Sequence, residues 1–132
     1  MIDPGTEIDA RYRVIRLIGE GGMGAVYEVE HLGVGKRLAV KMLHAHYARQ
    51  PEAVKRFARE AKILSGFNHP SLPRFYDYAP EAKPPYIAMA HAPGRQAARL
   101  CSPPRLKPAE VAAIGVKLAR VLAVVHARGV LH

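Results

Sequence analysis

The stretch Ile18-Gly19-Glu20-Gly21-Gly22-Met23-Gly24-Ala25-Val26-Tyr27 decides how this chain folds, read together with Leu38-Ala39-Val40-Lys41 and with Glu60 further on. A G-x-G-x-x-G run by itself also opens dinucleotide-binding βαβ units. Here, however, the glycines join two strand-like runs, Tyr12-Arg13-Val14-Ile15-Arg16-Leu17-Ile18 and Ala25-Val26-Tyr27-Glu28-Val29-Glu30, both β-branched and aromatic. A dinucleotide site needs a helix after its glycines, so the pattern is a flexible hairpin and not a Rossmann turn.

Working outward, Gly33-Val34-Gly35-Lys36 marks a turn, and Arg37-Leu38-Ala39-Val40-Lys41-Met42-Leu43 is a third strand. Period two puts Ala39, Lys41 and Leu43 on one face and Leu38, Val40 and Met42 on the other. Pro51 and Glu52 suit a first helical turn, and Val54, Phe57, Ala61 and Leu64 recur at helical spacing beside Glu60. Asn68-His69-Pro70 breaks that pattern. Leu72-Pro73-Arg74-Phe75-Tyr76-Asp77-Tyr78 reads as a fourth strand, and Tyr86-Ile87-Ala88-Met89-Ala90 as a fifth.

After Ala92-Pro93-Gly94 the chain changes character: residues 96 to 100 suit a short helix, Pro103-Pro104 a turn, and Pro108 opens a helix to about Ala127. Val111, Ile114, Leu118, Val121, Leu122 and Val125 form one apolar stripe along it.

Composition bounds the function. The 132 residues, 49% apolar and 23% charged, suffice for a folded core. The single Cys101 excludes an internal disulfide and a Cys-rich zinc site, and reads as a small apolar filler. No secretory leader is visible at Met1-Ile2-Asp3-Pro4-Gly5, and the apolar run from Val111 to Val125 carries Gly115, Lys117 and Arg120 and is too short to span a bilayer. The net charge of +9 is spread without a run of Lys or Arg, so it reads as a solvated basic surface and no nucleic-acid partner is expected.

The chemistry lies in the glycines and in Lys41. A polyanion is gripped by backbone that approaches closely, which glycine permits. A lysine between Val40 and Met42 is expensive if left unpaired, and Glu60, bordering the apolar stripe of the next helix, is its obvious partner. Residues alone leave two readings, a phosphate site or a plain ion pair on a small sheet.

From about Tyr12 to its last residue the chain resembles the N-terminal part of a bacterial, eukaryotic-like serine/threonine protein kinase. Gly19 to Tyr27 looks like that family's glycine-rich loop, Ala39-Val40-Lys41 like its third-strand lysine motif, and Phe57-Ala58-Arg59-Glu60-Ala61 like its regulatory helix. Asn68-His69-Pro70-Ser71-Leu72 resembles its strand-four entry, Met89 falls at the gatekeeper, and His126-Ala127-Arg128-Gly129-Val130-Leu131-His132 looks like the approach to its catalytic loop.

The resemblance implies an α+β fold: an N-terminal tail (1–11), a small ATP-binding lobe (12–91) with a five-stranded antiparallel sheet and one regulatory helix, and the start of an incomplete helical lobe (92–132). It implies that Gly19, Glu20, Gly21, Gly22, Met23 and Gly24 with Val26 cover phosphates and adenine, that Ile18 and Ala39 touch the base, and that Lys41, oriented by Glu60, holds the α- and β-phosphates. Ala90 and Ala92 would offer hinge backbone groups, although the family commonly has Glu and Tyr where this chain has Ala90 and His91.

Implied too are transfer of the ATP γ-phosphate to protein Ser/Thr hydroxyls, a protein substrate, Mg²⁺ with ligands outside these residues, a cytoplasmic setting and no membrane contact from this segment. His132 matches the histidine of the H-R-D loop; its Asp, the metal-binding Asn and the D-F-G Asp are not among the 132 residues. Losing a general base alone costs about 10²–10⁴-fold, so these residues by themselves are expected not to transfer phosphate. The alternative is a non-catalytic module that binds nucleotide or docks on another kinase. The six stripe residues would forgo up to about 9–18 kcal/mol of burial at about 1.5–3 each, so marginal folding with an exposed, adhesive helix is expected.

Overall fold

The computed structural model describes residues 2–94, 96, 97 and 105–131, which form two compact units, Met1–Ala92 and Pro93–His132. The expectations for Cys101, for a helix over 98–100, for the Pro103-Pro104 turn and for His132 lie outside the described residues.

The first unit is an antiparallel sheet built from β1 (Glu7–Ile8), β2 (Tyr12–Glu20), β3 (Gly24–His31), β4 (Lys36–Leu43), β5 (Phe75–Ala79) and β6 (Tyr86–Ala90), in the order β1-β2-β3-β4-β6-β5. Helix α1 (Pro51–Ser65) packs on one face. Six strands, not five, make the sheet. The extra one lies in the segment expected to be a plain tail. Asp9 and Ala10, at φ 53° and 50°, reverse the chain so that Ile8 pairs with Tyr12 and is 7% exposed. A two-residue strand has no periodicity to read. Tyr86 Oη ties the reversal down by donating to Asp9 Oδ2 at 2.9 Å.

The two faces of β4 divide the core as period two requires. Leu38, Val40 and Met42 join Tyr12, Val14, Tyr27, Val29, Tyr86 and Ala88 in one cluster, which Ile8 helps to close. Leu43, from the opposite face, joins Phe57 and Ala61 of α1 and Ile87 of β6. In α1 the buried Ala53, Phe57 and Ala61 lie toward the sheet, and Pro51 opens the first turn, where its missing N–H is not needed.

Strand β2 carries two irregularities. Its register with β3 shifts between Val14 and Arg16 and again between Leu17 and Gly19, leaving Ile15 and Ile18 as the extra residues. Each such bulge bends a strand and increases its twist. The expected strand from Leu72 begins only at Phe75. Pro73 has no N–H for a ladder, and Leu72 donates to His69 O at 3.0 Å in a turn.

In the second unit, helix α2 (Pro108–Ala127) starts with the Lys107 N–H bound to Glu110 Oε2 at 2.7 Å and stops before Gly129, at φ 72°. Val111, Leu118 and Leu122 are 55%, 57% and 40% exposed. Among the described residues no helix is long and apolar enough to cross a membrane.

Candidate functional site

The site is written across the helix-bearing face of the sheet as two neighbouring rows. Antiparallel register puts Gly19, Val26, Lys41 and Ile87 side by side, and the next row holds Arg16, Glu28, Ala39 and Met89. Directly opposed residues share a face. Lys41, Val26, Ala39 and Met89 therefore border one surface patch, although they are far apart in sequence.

Lys41 reaches from this patch toward α1, with its Nζ 2.6 Å from Glu60 Oε1 and 2.8 Å from Oε2. Both side chains keep water contact, at 30% and 41% exposure, so the pair is screened and its worth to stability is about 0.2–1 kcal/mol. The ammonium is thus anchored, yet a ligand can still reach it.

The glycine-rich loop turns between β2 and β3, with the Gly21 N–H bound to Gly24 O at 2.9 Å. Its glycines differ in their reason for being glycine. A Cβ on Gly24 would stand 2.2 Å from Met42 O, 3.1 Å from Met42 C and 3.3 Å from Leu43 Cα, all backbone atoms of the neighbouring strand. A Cβ on Gly22 would meet nothing within 4 Å, and one on Gly21 only Gly24 O at 3.8 Å. Gly24 is fixed by strand packing; Gly21 and Gly22 have room where a side chain would stand, although the Gly21 N–H is committed to Gly24 O. Met23 turns inward and packs against the cluster formed by Leu43, Phe57, Ala61 and Ile87. Ile18 sits at the second bulge of β2, half-buried.

At the far end of β6, the Ala90 N–H is committed to Arg74 O at 2.8 Å. Of the groups expected at the hinge, the Ala90 N–H is therefore taken.

One charged group was not singled out from sequence. Glu28 is buried at 7% exposure and takes Arg16 Nε at 2.7 Å, Arg37 Nη1 at 3.1 Å and, more distantly, His91 Nε2 at 3.9 Å. The cluster ties β2, β3 and β4 to the residue after β6. It gives the unexpected His91 a place, since a histidine can face a carboxylate there. The only signal in sequence was the parity of Glu28 with Val26, which puts a charge on the face that carries Lys41. Also missed was His44, just past β4, whose ring lies 3.2 Å from Gly21 O.

The described residues contain no group of three or more His, Cys, Asp or Glu side chains able to hold a metal ion.

Comparison with known proteins matches residues 12–132 to the protein kinase domain. The chain is 33% identical over 95% of its length to the serine/threonine-protein kinase pkn2 of Myxococcus xanthus and 36% identical over 92% to Pkn1 of the same organism, covering 15% and 17% of those proteins. It superposes over its full length on the crystal structure of the Mycobacterium tuberculosis PknI kinase domain, with TM-score 0.76, 32% identity and 54% of that chain covered. The chain therefore spans about half of a solved kinase domain and under a fifth of the curated relatives.

Proposed function

The chain belongs to the bacterial serine/threonine class of the protein kinase domain family, and on that premise we propose that its first unit binds ATP and serves γ-phosphate transfer to protein Ser/Thr hydroxyls in the complete kinase. The observation that carries this reading is the Lys41–Glu60 pair beside bare glycine backbone. A fixed ammonium and loop backbone that no side chain screens are what a polyphosphate needs.

In this reading Lys41 donates to the α- and β-phosphate oxygens, and Glu60 holds its ammonium in place without neutralising access to it. Gly19, Glu20, Gly21, Gly22, Met23 and Gly24 supply the loop above the phosphates; Gly21 and Gly22 are the positions where backbone can come closest. Val26, Ala39 and Ile18 form the apolar lid over adenine, Met89 limits the depth of the slot, and the Ala90 carbonyl with the Ala92 N–H addresses the base edge. Mg²⁺ accompanies ATP in this family. The resemblance puts its ligands, the Asn of the catalytic loop and the D-F-G Asp, outside these residues. The 132-residue polypeptide alone, lacking the Asp of the H-R-D motif, is expected to bind nucleotide without transferring phosphate.

The test is direct titration of ATP with Mg²⁺ into the chain. Saturable binding that competes with ADP supports the reading. Absence of binding by a chain shown to be folded overturns it.

A further inference from the structure

His44 makes two contacts with the glycine-rich loop. Its backbone N–H donates to Met23 O at 3.0 Å, and its ring Nε2 lies 3.2 Å from Gly21 O. The same Nε2 is 3.6 Å from Glu20 Oε1, the last residue of β2. The charged and titratable groups recorded around the ring are Glu20, from β2, and His46, from the segment after β4, whose ring stacks at 5.8 Å and 9°.

We infer that His44 is a positioning residue for the glycine-rich loop, fastening its carbonyls so that its N–H groups are presented to an anion. The reason is peptide geometry. In a trans peptide the C=O and the following N–H point in opposite directions. Holding Gly21 O against the His44 ring therefore turns the Gly22 N–H away from His44, at a position where no Cβ would obstruct a ligand. A loop free to flip that peptide would present a carbonyl, and a carbonyl repels phosphate.

A ring with its proton on Nε2 donates to Gly21 O, and Glu20 Oε1, 3.6 Å from the same nitrogen, keeps the imidazole at the end of β2. The value of the inference for nucleotide binding rests on the ATP reading above; the loop latch does not, and the two are separable.

The experiment measures amide-exchange protection of Gly21 and His44, whose N–H groups bond to Gly24 O and Met23 O, in the 132-residue chain, corrected for intrinsic exchange. Alongside it, affinity for ADP with Mg²⁺ is read. H44A should lose about two- to tenfold in protection, the worth of one hydrogen bond, and should bind ADP more weakly. H44Q, which keeps a donor of similar reach, should retain both.

Protection in H44A equal to wild type, or lost in H44Q as fully as in H44A, overturns the inference even if nucleotide binds. Protection that follows this pattern in a chain that binds no nucleotide supports the latch and overturns the ATP reading.

Discussion

The Lys41 ammonium lies 2.6 and 2.8 Å from the two carboxylate oxygens of Glu60, joining β4 to α1 through a contact that water still reaches. An exposed pair of this kind orients more than it stabilises. Substituting Glu60→Gln is therefore expected to shift stability by no more than about 1 kcal/mol, while leaving Lys41 less well placed. Nucleotide affinity should fall about three- to tenfold, a loss of about 0.7–1.4 kcal/mol. Thermal melting with parallel ATP titration checks both halves; a large stability loss with unchanged affinity would make the pair structural.

The glycines of the loop should separate under substitution. Gly24→Ala forces a Cβ into the Met42 carbonyl at 2.2 Å, so β3 and β4 must part, at about 1–3 kcal/mol for overpacking of this kind. Gly22→Ala meets nothing within 4 Å and should melt within about 0.5 kcal/mol of wild type. Its cost should appear in nucleotide affinity instead. Equal melting of the two variants would contradict the packing role of Gly24.

High pH should loosen the N-terminal reversal. The Tyr86 hydroxyl is pushed well above its ordinary value, first by burial and then by its hydrogen bond to the Asp9 carboxylate. A folded value above the unfolded one, about 10, means that the folded state holds the proton more tightly. That stability is present in full below about pH 10 and is lost as pH rises toward the raised folded value. Melting temperature should fall between pH 9.5 and 11.5, and Tyr86→Phe should flatten part of that decline. Burial raises Tyr12 and Tyr78 in the same direction, so a residual slope is expected.

Helix α2 presents Val111 and Leu118, each more than half exposed, on an apolar stripe. The 132-residue polypeptide should therefore self-associate with rising concentration. Replacing both by Glu should shift light scattering toward monomer without reducing helix content. A wild-type chain that is monomeric at high concentration and melts in one sharp transition would contradict this.

What was legible in sequence was whatever depended on a regular period or on one unaffordable group. The parity of β4 places Val40 in one core cluster and Leu43 in the other, as alternation requires. Lys41 in an apolar strand demanded an acid, and the helical stripe offered Glu60. Phe57 and Ala61 on the inward side of α1 followed from 3.6-residue spacing, and Pro108 with the apolar stripe marked α2. Illegible were features made by departures from period. The bulges at Ile15 and Ile18 change the register of β2 without any local signal, and β1 exists only because Asp9 and Ala10 adopt positive φ. The Glu28 cluster gathers Arg16, Arg37 and His91 from separate elements, and His44 meets Gly21 across 23 positions. Such contacts are set by register, which residue types alone do not announce.

The central claim, that Lys41 holds nucleotide phosphate, is tested most directly by titrating ATP with Mg²⁺ into wild type and Lys41→Met, with circular dichroism to verify that the sheet is retained. The expected result is saturable binding by wild type and at least about tenfold weaker binding by the variant, the loss of one charge-assisted hydrogen-bonding group. Equal affinity in two folded proteins would remove Lys41 from the site and contradict the claim.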